Sequence, residues 1–115
     1  MLDILIVEGD PVISLDIADT ALTLDPGARI RVFDDPAKVR CERFTHAFLR
    51  AGPDVVPLAL RLAEGEARVF LLGAERLPCA LDDAARVAVV PFPFTAEQMT
   101  ALLGGGGAPG SPPAS

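Results

Sequence analysis

The sequence predicts an α/β domain of the doubly wound (βα)5 type, and three observations predict it. Five short apolar runs rich in Val, Ile, Leu and Phe alternate with segments of helical spacing. The helical segments open on acid–proline pairs, on a proline or on a capping threonine. The turns between them are built from Gly, Pro and Asp. Strand and helix in strict alternation imply a parallel sheet with helices on both faces, joined by right-handed crossovers.

Leu2 to Val7 (LDILIV) has the continuous apolar character of a buried parallel strand. Asp10 and Pro11 then start a helix, an N-cap carboxylate followed by proline at the first helical position. Ile13, Ile17 and Ala21, and also Leu15, Ala18 and Leu22, recur at helical spacing, and Asp25-Pro26-Gly27 stops the helix. Ala28 to Phe33 alternates and predicts the second strand. Asp34-Asp35-Pro36 repeats the acid–proline start, so a short second helix is expected over Ala37 to Arg43. Phe44 to Leu49 is the expected third strand, with Arg50 where it ends. Pro57 opens a third helix that runs to Gly65. Ala67 to Leu72 predicts the fourth strand, closed by Gly73. Pro78 interrupts the segment Ala74 to Ala85, so any helix there is short. Arg86 to Val90 is the fifth strand, and Pro91-Phe92-Pro93-Phe94 a rigid apolar loop. Thr95 caps the last helix, which is expected to bury Ala96, Met99, Leu102 and Leu103.

The expected folded part is residues 1–103. Residues 104–115 contain only Gly, Pro, Ala and Ser, too little apolar surface to offset the entropy of ordering, and are expected to be a disordered tail. Net charge is −6, which argues against nucleic acid and anionic membrane as partners. Cys41 and Cys79 are far apart with no Cys-x-x-Cys pattern, as expected of free thiols in a reducing cytoplasm. Asp3 interrupts the N-terminal apolar run, so a standard signal peptide is not expected there, and no apolar run reaches the about 18 residues that span a bilayer.

The opening LDILIVEGDPVISLDIADTAL and the closing VVPFPFTAEQMTALL, with THAFLR and VFLLG between them, resemble the receiver domains of bacterial response regulators. The resemblance runs over residues 1–103 and implies a flavodoxin-like sheet of strand order 2-1-3-4-5. It also implies a site at the carboxyl ends of the strands, where the family transfers a phosphoryl group from a histidine kinase to an aspartate. There an acidic cluster holds Mg2+, and a Thr or Ser and a Lys bind the phosphoryl oxygens. In this chain those positions are altered. Glu8 keeps the first acid of the pair, Gly9 replaces the second, and Asp10 follows the pair. Arg50 falls on the phosphoacceptor, Leu72 on the Thr/Ser, Phe92 on the lysine with Pro93 after it, and Val89 on the aromatic switch position. Arginine has no nucleophilic oxygen and stays protonated. Leucine donates no hydrogen bond and phenylalanine brings no positive charge. The resemblance therefore implies a degenerate, pseudo-receiver site without catalytic residues, at which Mg2+ binding is lost or weak.

Two orientations of Arg50 stand open: an ion pair with Glu8 or Asp10 in place of the metal, or a side chain turned to solvent. Leu72 and Phe92 either fill space or form an apolar docking spot. Asp54 is a turn former rather than a displaced phosphoacceptor, and Asp34 and Asp35 are helix caps. His46 is expected to be a packed strand residue. Neither a Cys41–His46 nucleophile pair nor zinc spacing among Cys41, His46 and Cys79 is supported. Gly104 to Gly107 follows a helix and is not a phosphate cradle. The expectation is a stand-alone, non-enzymatic module of two-component-type signalling. It meets a sensor kinase, another regulator or a second copy of itself through its last helix, with Met99 and Leu102 the candidate contacts if they are exposed rather than packed in the core. Two other readings stay open: a phosphoacceptor using unorthodox residues with Mg2+, and a small-ligand binder at the strand-end crevice.

Overall fold

Successive side chains of a strand point to opposite faces of its sheet, and each central strand here has apolar residues on both. The structure, a computed structural model, describes residues 2–40, 43–81, 86–92 and 94–103. Cys41, Pro93, the expected tail 104–115 and parts of two expected helices (41–42 and 82–85) lie outside the described residues. The strands are β1 (Asp3–Val7), β2 (Arg29–Phe33), β3 (His46–Arg50), β4 (Arg68–Leu72) and β5 (Val87–Val90). All pair in parallel in the order β2-β1-β3-β4-β5, a flavodoxin-like α/β fold.

The two faces carry separate cores. Ile4 and Ile6 of β1, Phe48 of β3, Phe70 and Leu72 of β4 and Val90 of β5 face α1 (Pro11–Leu24) and α3 (Ala96–Leu103), which add Ile17, Ala21, Met99 and Leu103. Leu5, Val7, Ala47, Leu49, Val69 and Leu71 face the other way, onto Leu58, Ala59 and Leu62 of α2 (Val56–Glu64). Phe48 and Phe70 stack at 5.0 Å between ring centroids in the middle of the first core. Truncating a buried phenylalanine of this kind typically costs about 3–5 kcal/mol.

The caps predicted at Asp10 and Thr95 form. Asp10 accepts the Val12 N–H at 2.9 Å, and Pro11 opens α1. Thr95 and Gln98 exchange bonds (Thr95 Oγ1 from the Gln98 N–H, Gln98 Oε1 from the Thr95 N–H), a reciprocal capping box. Asp25 ends α1 and ties the molecule together, because its carboxylate accepts the N–H groups of both Leu2 and Gly27.

The expected second helix over Ala37–Arg43 does not form among the described residues. A single 3₁₀ turn, Pro36–Lys38, capped by Asp35, is followed by Val39 in extended conformation. Val39 instead drops its side chain into the α2-side core, and a β-branched residue is not held in a helix once packing favours the extended form. The segment around Pro78 contains one 3₁₀ turn, Cys79–Leu81, anchored by buried Leu81. Three α-helices are thus present among the described residues, not one after every strand. Glu66, just beyond α2, takes a positive φ of 70°, while Gly65 beside it does not.

Candidate functional site

Parallel pairing sets Val7 beside Leu49 and Arg50 beside Leu72. Glu8, one step beyond β1, therefore stands next to Arg50 at the carboxyl edge of the sheet. The two form an ion pair, Arg50 Nη1 to Glu8 Oε2, at 3.1 Å. The Glu8 side chain is almost wholly buried, 3% exposed, whereas that of Arg50 is 51% exposed. Of its two expected orientations Arg50 takes the ion pair, with the rest of its side chain half in solvent. The carboxylate it meets belongs to Glu8. Asp10 donates its own N–H to Glu8 Oε1 at 3.1 Å and uses its side chain to cap α1.

Phe92 completes the arrangement. Its ring lies under the Arg50 guanidinium, 4.9 Å from ring centroid to Cζ, and tilts against Phe94 at 5.6 Å. A guanidinium over a ring face is attracted by the ring's quadrupole, worth about 0.5–1 kcal/mol at an exposed site. Gly73, immediately after β4, makes room for that ring. It has φ +82°, and a Cβ there would sit 2.8 Å from Phe92 Cε2. Gly73 closes β4 in the sequence, but no sequence signal links it to Phe92 across the loop.

Leu72 is fully buried in the α1–α3 core, so it fills space rather than offering a docking spot. Val89 is half-buried against the α2-side core. Met99 and Leu102 are candidate contacts only if exposed, and that condition fails: Met99 is 1% exposed and belongs to the core, as the burial expected of this helix has it, and Leu102 packs against the same cluster. Three apolar positions on an eight-residue helix share one stripe, and the sheet takes that stripe. Among the α3 residues whose burial is described, Glu97, Gln98, Thr100 and Ala101 are left in solvent. Large apolar side chains are exposed instead on α1 and β2: Val12, Leu15, Leu22 and Val32.

The other candidates are apart from this site. Asp54 is exposed in a 3₁₀ turn, Pro53–Val55. Asp35 caps a turn as expected, but Asp34 pairs with Lys38 at 3.0 Å, which lowers its carboxyl below the ordinary value. Cys79 is a free, exposed thiol. His46 lies at the opposite end of the sheet, buried beside Phe70 with Nδ1 2.9 Å from Thr45 Oγ1. A groove of about 620 Å3 runs along α1 beside Glu8, lined by Leu15, Val32 and Ser14 among others. The Ser14 hydroxyl is buried there without a hydrogen-bond partner, a feature no sequence signal indicated.

The residues do not fit the divalent cation that the resemblance brings with it. Glu8 has one oxygen on Arg50 and the other on the Asp10 N–H. Gly9 has no ligand to offer, and Asp10 is engaged as a helix cap. Among the described residues no three His, Cys, Asp or Glu side chains gather into a metal-binding set. A hard cation needs several free oxygens, and here a guanidinium already balances the buried Glu8 carboxylate. Among the described residues no helix is long and apolar enough to cross a membrane. No protein-family model matches the chain, and no curated protein sequence matches it.

Proposed function

We propose that the chain is a receiver-like signalling module that takes no phosphoryl group and acts by protein–protein contact. One observation carries this reading: Arg50 stands at the end of β3, paired to buried Glu8 and stacked on Phe92. A nucleophilic carboxylate is absent from the place where the resemblance requires one, and the cationic role is filled internally. The pair is built into the fold, so the surface above it is held in one state. The resemblance makes the partner a sensor kinase, another regulator or a second copy of the chain. With Met99 in the core, the contact face moves to the apolar side chains of α1 and β2, centred on Leu15 and Val32.

The test is a Mg2+ titration with and without beryllofluoride, followed by backbone NMR, together with intact mass after incubation with a small phosphoryl donor. The expected result is no shift at Glu8, Asp10, Arg50 or Leu72 and no added mass. An adduct of roughly 80 Da, the mass of one phosphoryl group, or saturable shifts at those residues, favours the unorthodox phosphoacceptor and overturns the proposal.

A second reading has one observation of its own. The unpartnered Ser14 hydroxyl in the groove beside Glu8 is a polar atom that a small ligand could satisfy. A thermal-shift screen against polar metabolites, repeated with Ser14→Ala, tests it. Stabilisation that Ser14→Ala removes supports a ligand site, and the absence of any stabilisation removes this reading.

A further inference from the structure

The chain is acidic, yet five of its ten basic side chains line two adjoining hollows at the amino-terminal end of the sheet, the end opposite Arg50. The first hollow, about 230 Å3, has an apolar floor of Phe44, Leu58 and Leu62 and a rim of Arg40, Arg43 and Arg61. Among the described residues no carboxylate lines it. Arg40 and Arg43 are exposed and have no ion-pair partner among the described residues; Arg61 has an interaction of its own within the fold. Arg43 and Phe44 also border the second hollow, which holds Arg68, Arg86 and His46. There the His46 Nε2 is buried without a hydrogen-bond partner. Asp3 and Glu66 line the second hollow as well, so among the described residues the part of this surface without a carboxylate is the first.

We propose that the first hollow binds a small organic anion, a carboxylate or phosphate ester attached to an apolar body. The body lies on Phe44, Leu58 and Leu62, and the anionic end meets the arginine rim. Guanidinium groups present paired N–H donors in the geometry that carboxylate and phosphate oxygens accept. An apolar floor with a few convergent charged groups is the usual composition of a small-ligand site. The site is independent of the pseudo-receiver reading, because it shares no residue with the Glu8–Arg50 pair.

Phenyl phosphate is the probe, followed by backbone NMR on the whole chain. Benzyl alcohol, which keeps the ring without the charge, and inorganic phosphate, which keeps the charge without the ring, are the controls. The expected result is saturable shifts at Phe44, Leu62, Gly65 and Ala67, with each control at least about tenfold weaker, a loss of about 1.4 kcal/mol. Arg40→Gln with Arg43→Gln should weaken phenyl phosphate by a similar factor. Both positions are exposed, so the variant's spectrum away from the hollow should be unchanged. Equal binding of benzyl alcohol would reduce the site to a greasy dent and overturn the proposal. So would shifts confined to other parts of the molecule, or binding indifferent to the arginine changes. If an acidic peptide shifts the same residues and phenyl phosphate does not, the surface recognises protein and the small-anion assignment fails.

Discussion

Arg50 and Glu8 differ in what each leaves behind when removed. Arg50→Ala strands a carboxylate whose side chain is almost wholly buried, whereas Glu8→Gln leaves a guanidinium that is already half in water. Stranding the buried partner is the costlier change. Arg50→Ala is therefore expected to lower stability by about 1–2 kcal/mol, discounted for its exposure. Glu8→Gln should cost under about 1 kcal/mol, since an amide oxygen still accepts from Arg50. Urea denaturation of both variants checks the order, and equal losses would mean the pair is not what holds Glu8. Gly73 and Phe92 make a second residue-scale case. Gly73→Ala meets two costs, a positive φ and a clash with the Phe92 ring. The backbone cost is about 1 kcal/mol, and a total of about 1–2 kcal/mol is expected. Adding Phe92→Ala should recover the clash and leave the backbone part, a coupling that a double-mutant cycle measures.

At the scale of elements, local signals and packing divide the work. The last helix has only eight residues, too few to be stable alone. Its capping box and the burial of Met99 and Leu103 hold it. Thr95→Ala should cost about 1 kcal/mol and Thr95→Ser much less, as thermal or urea unfolding would show. The caps at Asp10, Asp35 and Thr95 were all legible in the sequence, because a cap is a contact between near neighbours. The expected second helix fails to form among the described residues for the complementary reason. Asp35 and Pro36 do start a turn, but Val39 gains more from the core than from another helical bond. The two apolar stripes of α1 looked alike in sequence. Ile13, Ile17 and Ala21 went inward, while Leu15 and Leu22 stayed in solvent. If Leu15 lies in a partner contact, Leu15→Asp should abolish that association without loss of stability, measurable by sedimentation. Survival of association would move the contact elsewhere.

The whole molecule adds a pH dependence. His46 is buried, and desolvation first, then the positive charge of Arg68 on the neighbouring strand, hold its pKa below the ordinary 6.5. In the folded state it resists protonation, while in the unfolded chain it takes a proton near 6.5. The unfolded state thus binds more protons as pH falls below 6.5, and stability declines from there until the folded-state pKa is passed. Its contribution is fully present above pH 6.5. His46→Leu, which removes the titrating group, should flatten the decline between pH 7 and 5 in chemical denaturation; an unchanged slope would mean that His46 is not its source. Asp25 acts in a lower window. The Leu2 and Gly27 N–H groups lower its pKa, so its contribution is present above 3.8 and is lost as pH falls further.

The sequence by itself determined the parallel five-stranded sheet, its flavodoxin-like order, and the helix starts at Asp10 and Thr95. Those features rest on periodicity, on near-neighbour chemistry and on a pattern spread along the chain. Only the tertiary structure decided that Arg50 meets Glu8 and not Asp10, because the choice follows from strand register and from the cap that already occupies Asp10. It alone set Phe92 beneath Arg50 over Gly73, and gathered Arg40, Arg43 and Arg61 around one apolar floor. Each of these joins residues far apart in the chain, and such contacts are settled only when the layers pack.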